Sequence, residues 1–178
     1  MKATGIVRRI DELGRVVIPK EIRSTRRLKS GDPLEIFTDR DELMLKKYSP
    51  IVSLGQFSCG TAKSLSDLSG HLAVICDTDE IICASGSGRK EVAGKTISKQ
   101  LDEILKNRKS YVANSSDIVP VTEEENTYPT AQVIVPIVSG GDCLGAVALL
   151  SYEQGAKMEQ GACKLAQLSA TILANQFE

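Results

Sequence analysis

Hydrophobic and polar positions change period several times along this chain. Ile6-Val7-Arg8-Arg9-Ile10 reads as a short strand, and Asp11-Glu12-Leu13-Gly14-Arg15 as the turn after it, with Gly14 free to take a positive φ. Val16-Val17-Ile18 is a second, β-branched strand stopped by Pro19, a residue that suits the first turn of a helix. Residues 20–29 then read as a short helix broken at Gly31-Asp32-Pro33. Leu34-Glu35-Ile36-Phe37 and Leu43-Met44-Leu45 follow as a hairpin around Asp39-Arg40-Asp41-Glu42, which gives the order β-β-α-β-β. A segment this short, with so few large apolar side chains, buries too little surface to stand alone, so dimerisation through shared strands is expected.

Tyr48-Ser49-Pro50 marks a seam, and two modules are placed at residues 1–52 and 53–178. Beyond the seam, Ile51, Leu54, Phe57, Leu65 and Leu68 recur at roughly helical spacing up to the stop signal Gly70. Strands are predicted at Leu72-Ala73-Val74-Ile75-Cys76 and Ile81-Ile82-Cys83-Ala84, around the turn Asp77-Thr78-Asp79-Glu80. Ile97, Leu101, Ile104 and Leu105 define a helix. Gln132–Val138 and Leu144–Ser151 are apolar strands around Ser139-Gly140-Gly141-Asp142. A last helix is expected from about Met158 to Phe177 with Leu165, Leu168 and Ile172 on one stripe, and Glu123-Glu124-Glu125-Asn126 reads as an exposed loop. Helix, antiparallel sheet and helix make an α+β module.

Charge sharpens this division. The 178 residues carry 22 Lys+Arg and 23 Asp+Glu, a net of −1. Residues 1–29 hold nine cations against three acids, a net of +6, and six of the nine are Arg. Residues 51–178 hold ten against fifteen, a net of −5. A basic module that meets a polyanion, joined to one that does not, is the expectation. No run of eighteen apolar residues or secretory leader is present, so a cytoplasmic protein without a membrane partner is expected. Aromatic residues are only 4%, which disfavours base stacking as the mode of nucleic-acid contact.

Chemistry beyond charge is sparse. Cys59, Cys76, Cys83, Cys143 and Cys163 include no CxxC pair, and the one histidine is His71. Neither a zinc site nor a disulfide framework is expected, and buried free thiols are the default. Oxidant sensing by Cys76 or Cys83 would need lowered thiol pKa values, and no cation adjoins either. His71 between Gly70 and Leu72 has no nucleophile elbow, and no HExxH or Walker A spacing occurs, so no enzyme activity, metal or cofactor is predicted. Ser85-Gly86-Ser87-Gly88-Arg89-Lys90 follows a strand without P-loop spacing and reads as a flexible loop rather than an anion cradle.

On a helical wheel Lys20, Arg23 and Arg27 form a basic stripe opposite Ile22, Thr25 and Leu28. Arg8, Arg9 and Arg15 flank the first turn and can join the same surface. Guanidinium groups grip phosphate with paired donors and read guanine edges, so double-stranded DNA is the expected partner. The run GIVRRIDELGRVVIP, followed by GDPLEIF and LKKYSP, resembles the AbrB-like swapped-hairpin transition-state regulators of Gram-positive bacteria over residues 1–50. That resemblance implies two chains exchanging hairpins to form one dimeric β-barrel head, with Arg8, Arg15 and Arg23 as first DNA-binding candidates and Arg9, Lys20 and Arg27 as second. Ser24 and Arg26 depart from the family pattern, in which a further Arg and a Leu are usual. Either Arg26 lays its stem along the core or the contact shifts toward Arg26 and Arg27.

The second module, with CDTDEIICASG and PIVSGGDCLGAVAL, resembles a GAF domain, through looser motifs. The two modules in this order are similar to a regulator of late forespore genes in spore-forming bacteria, both activating and repressing. The resemblance implies a homotetramer paired through the terminal helices of its GAF-like domains. It leaves room for an unidentified small-molecule effector beside a purely structural role. The rival from another class is an antitoxin-type swapped-hairpin regulator whose C-terminal part binds a protein partner.

Overall fold

The computed structural model describes residues 4–124 and 127–177. Contacts divide the chain into two compact units, one ending at Tyr48 and the other beginning at Ser49. In the first unit, helix α1 (Lys20–Thr25) is followed by strands β1 (Leu34–Asp39) and β2 (Glu42–Lys47). β1 and β2 pair antiparallel from Leu34↔Lys47 to Asp39↔Glu42, around the two-residue turn Arg40-Asp41.

The strands expected at Ile6–Ile10 and Val16–Ile18 form no ladder in the single chain. Their side chains explain why: Val7 is 88% exposed and Val17 74%, and Ile36, Leu43 and Leu45 on the hairpin are exposed as well. One copy of the head has β-branched segments without partners and apolar faces without a core.

The second unit runs α2 (Pro50–Ser53), α3 (Gln56–Ser69), β3 (Leu72–Cys76), β4 (Ile81–Ser85), α4 (Arg89–Val92), α5 (Lys99–Asn107), β5 (Tyr111–Asn114), β6 (Ala131–Ser139), β7 (Asp142–Ser151), α6 (Gln160–Ala174) and a short 3₁₀ turn at Asn175–Phe177. Its antiparallel sheet has the order β4-β3-β7-β6-β5. Both faces are covered, so the central strands are continuously apolar rather than alternating. Ala73, Ile75, Val133, Val135, Val147 and Leu149 pack with Ala62 and Leu65 of α3 and Ala166, Ala170 and Leu173 of α6. Leu72, Val74, Cys76, Ile134, Ala148 and Leu150 face Leu101 and Leu105 of α5 on the other side.

Three expectations change here, and one strand, β5, is new. The helix read across Ile51–Leu68 is two helices, because Gly55 takes φ 47 between them; the stop at Gly70 (φ 71) is as expected. Ile97 lies outside α5, in a bridge to Thr122, while Ser98 caps the helix by accepting from the Leu101 N–H at 3.0 Å. β5 carries no strong pattern, being a four-residue edge strand. On α6 the stripe divides: Leu168 is 57% exposed and Ile172 is exposed as well, whereas Leu165 is half-buried against the core, and the small residues Ala166, Ala170 and Ala174 face inward with Leu173. Leu68 on α3 is likewise 73% exposed. Glu123 and Glu124 are exposed, and Glu125 and Asn126 lie outside the described residues.

Candidate nucleic-acid interface

The turn between the two extended segments is built by Asp11. Its Oδ1 accepts from the N–H groups of Leu13 (3.0 Å) and Arg15 (2.8 Å), while Gly14 supplies φ 75. Oδ2 accepts from Arg15 Nε at 2.8 Å, and the Asp11 N–H donates to the Arg15 carbonyl at 3.0 Å. The Arg15 N–H, and then its guanidinium, hold the Asp11 carboxyl below its ordinary value. Arg15 nonetheless keeps 71% of its side chain in solvent. The pair orients a guanidinium outward without burying it. Asp11 is the organising residue that the strand-and-turn pattern does not single out; its signal is an Asp followed by Gly at i+3 and Arg at i+4.

Helix α1 ends earlier than the periodicity implies. The Leu28 N–H donates to the Arg23 carbonyl at 2.8 Å and the Arg27 N–H to the Ser24 carbonyl at 3.3 Å, the bond pattern of a Schellman stop. That stop places Arg27 in the left-handed region at φ 53, a position where glycine is usual. The stripe predicted through Lys20, Arg23 and Arg27 therefore keeps only its first two members on the helix, and Arg27 projects from the turn after it. Arg26, the C-cap, is exposed and does not lie along a core of this chain.

Arg8, Arg9, Lys20 and Arg23 are all exposed as well. None of these four side chains enters a hydrogen bond or ion pair among the described residues. What the chain presents is a set of solvent-facing cations on the turn, on α1 and just after it. Exposed cations of this kind can neutralise phosphates, and Arg15 can do so while its Nε stays on Asp11.

In the second unit, residues 85–90 lead from β4 into the four-residue α4. A cavity of about 390 Å³ lies at this end of the sheet, lined by His71, Ser87, Glu91, Ser151, Tyr152 and Glu153 over a floor of Leu72 and Leu150. Two carboxylates and no Lys or Arg line it among the described residues, a poor match for an anionic ligand. No cluster of three metal-ligating side chains occurs among the described residues, and no described helix is long and apolar enough to cross a membrane.

The expectation of free thiols fails at one pair: Cys59 and Cys83 are joined in a disulfide. Folding brings their Cα atoms to 5.1 Å across 24 residues, a proximity that sequence spacing does not reveal. Cys76, Cys143 and Cys163 are free; burial pushes the Cys76 thiol up to about 12.

A basic head that lacks a core of its own, followed by a two-faced α+β unit, is the build of a two-domain transcription regulator. Residues 53–178 match the family described as stage V sporulation protein T C-terminal, transcription factor, and residues 7–53 match antidote-toxin recognition MazE, bacterial antitoxin. Over its full length the chain is 47% identical to stage V sporulation protein T of Bacillus subtilis, covering 99% of that protein. It is also 48% identical over 67 residues to the transition state regulatory protein AbrB of the same organism, covering 38% of this chain and 65% of that one. The chain belongs to the stage V sporulation protein T family: it is a transcription factor with an AbrB-like DNA-binding head.

Solved structures confirm the fold of the second unit. The cofactor-binding GAF domain of the nutrient sensor CodY from Clostridium difficile aligns with a TM-score of 0.53 at 18% identity, over 67% of this chain and 83% of that one. The GAF domain of an Acinetobacter phosphoenolpyruvate-protein phosphotransferase aligns at 0.55 and 12%, over 73% and 82%. The unit is GAF-like. It is a folded unit of its own, beginning at Ser49.

Proposed function

We propose that two copies of this chain interlock at residues 1–52 into a swapped-hairpin barrel that grips duplex DNA through Arg8, Arg15 and Arg23, with Arg9, Lys20 and Arg27 alongside. The observation that carries this reading is the coreless head. Apolar side chains from both extended segments and from the β1–β2 hairpin are exposed together with the arginines, so one event, pairing of two chains, both builds the core and doubles the cationic surface. Arg27, exposed in the left-handed turn just after α1, adds a cation beside the helix.

Paired heads join into a homotetramer through the outward apolar residues of α3 and α6, and two basic heads on one assembly raise the effective concentration of each for DNA. The assembly acts in the cytoplasm, on the nucleoid of the forespore, activating some late sporulation genes and repressing others. The cavity near His71 gives the GAF-like unit room for a small neutral or cationic effector. Such a molecule switches the heads only by binding one arrangement of them more tightly than another.

Salt titration of DNA binding tests the interface. Each Arg→Ala change removes one phosphate contact per chain, so in a head dimer Arg8→Ala or Arg23→Ala flattens the log–log salt slope by about two. An unchanged slope and affinity for both variants overturns the assignment.

A further inference from the structure

We infer that Cys59 and Cys83 form a reversible thiol–disulfide site through which low-molecular-weight thiols and disulfides act on the GAF-like unit. The bond ties the first turn of α3 to β4, an edge strand of the sheet. Its two ends differ. Cys83 is 4% exposed and packs with the α3/α6 side of the core, whereas Cys59 is exposed. At about 100° per residue Cys59 lies nearly opposite Phe57 and Leu68 on the helix, away from the stripe proposed to pair between chains.

Two arguments make the bond a site and not a structural staple. The unit already has apolar clusters on both faces of a five-stranded sheet, whereas structural disulfides are concentrated in small domains that lack such cores. A DNA-bound regulator also works in a compartment whose thiol pool keeps accessible disulfides open, so a bond formed there is transient and responsive. This second argument rests on the DNA-binding reading; the first does not.

The chemistry balances with the thiol pool as co-reactant. A glutathione thiolate attacks the sulfur of Cys59, the exposed residue of the pair, forming a mixed disulfide while the Cys59–Cys83 bond breaks and Cys83 leaves with the electron pair and takes up a proton. A second glutathione attacks the mixed disulfide, releasing Cys59 as a thiol and glutathione disulfide as product. Two electrons and two protons pass from two glutathiones to the pair, and glutathione disulfide reverses the sequence. Reduction frees the first turn of α3 from β4. That helix follows α2 directly and is tied to it by the Ser58 hydroxyl donating to the Ile51 carbonyl at 3.2 Å. Buried Cys76 stays outside the exchange.

The test equilibrates the full-length native chain in glutathione buffers of graded ratio, quenches with acid, and maps the Cys59–Cys83 link by peptide mass. The oxidised fraction is expected to pass from nearly complete to nearly absent across millimolar buffers. Thermal unfolding should fall by about 5–10 °C on reduction. Cys59→Ser should melt with the reduced protein and show no response to the buffer. A link that survives millimolar glutathione until denaturant is added overturns the proposal, as does a pair that never joins in glutathione disulfide. DNA binding measured on the same samples separates the two readings: loss of binding at every ratio removes the DNA assignment and leaves the exchange site standing.

Discussion

Arg27 sits where backbone and side chain want different things. Its φ of 53 closes the α1 stop through bonds from the N–H groups of Arg27 and Leu28, a geometry that a Cβ disfavours. Arg27→Gly should therefore stabilise the head by about 1 kcal/mol while weakening DNA binding, two opposite shifts read by denaturant unfolding and gel-shift titration. If affinity is unchanged, Arg27 is not part of the contact. The candidate cations were legible as residues, because nine positive charges in the first 29 positions and a long specific motif mark the surface without any structure. Their local geometry was not legible. A wheel drawn at constant pitch carries Arg27 onto a helix that ends at Thr25, and no periodicity announces that Asp11 will spend both carboxylate oxygens on Arg15.

At the scale of elements, close approach of backbones decides more than hydrophobic pattern does. Gly145 on β7 holds φ 157 beside β3, and a Cβ built there would stand 2.0 Å from the Cys76 carbonyl oxygen. Gly145→Ala must push two central strands apart, so it should cost about 3 kcal/mol or more, measured by thermal or chemical unfolding of the GAF-like unit. The strands of this sheet were readable because both faces are buried and the apolar runs are long. β5 was missed because a four-residue edge strand with only Ala113 buried has no period to detect. The outward turn of Leu168 and Ile172, with Leu165 of the same stripe packed on the core, was hidden for another reason: α6 has apolar residues around most of its girth, and sequence cannot tell which side meets the sheet.

Across the whole molecule, exposed apolar surface on α3 and α6 is what the proposed tetramer must cover. Leu168→Glu places a charge on that surface without touching the residues that pack on the sheet. It should convert tetramers to dimers by light scattering, with thermal unfolding of the GAF-like unit little changed. Tetramers that persist at ordinary concentrations would mean the stripes pair with something else. Domain order followed from charge and turn signals, with the division at Tyr48 and Ser49 falling at the seam they mark. The Cys59–Cys83 bond did not, because contacts between residues far apart in sequence are products of folding.

The exposed Val7, Ile10 and Val17 carry a consequence for dosage. On the proposed pairing, a barrel that forms only when two polypeptides meet has an abundance that rises with the square of chain concentration until pairing saturates. Occupancy of an operator would then climb more steeply than protein synthesis does, and pairing itself would convert gradual accumulation into a threshold. A chain altered at its arginines but still able to interlock would spoil every barrel it enters, which makes such alleles dominant over the wild type.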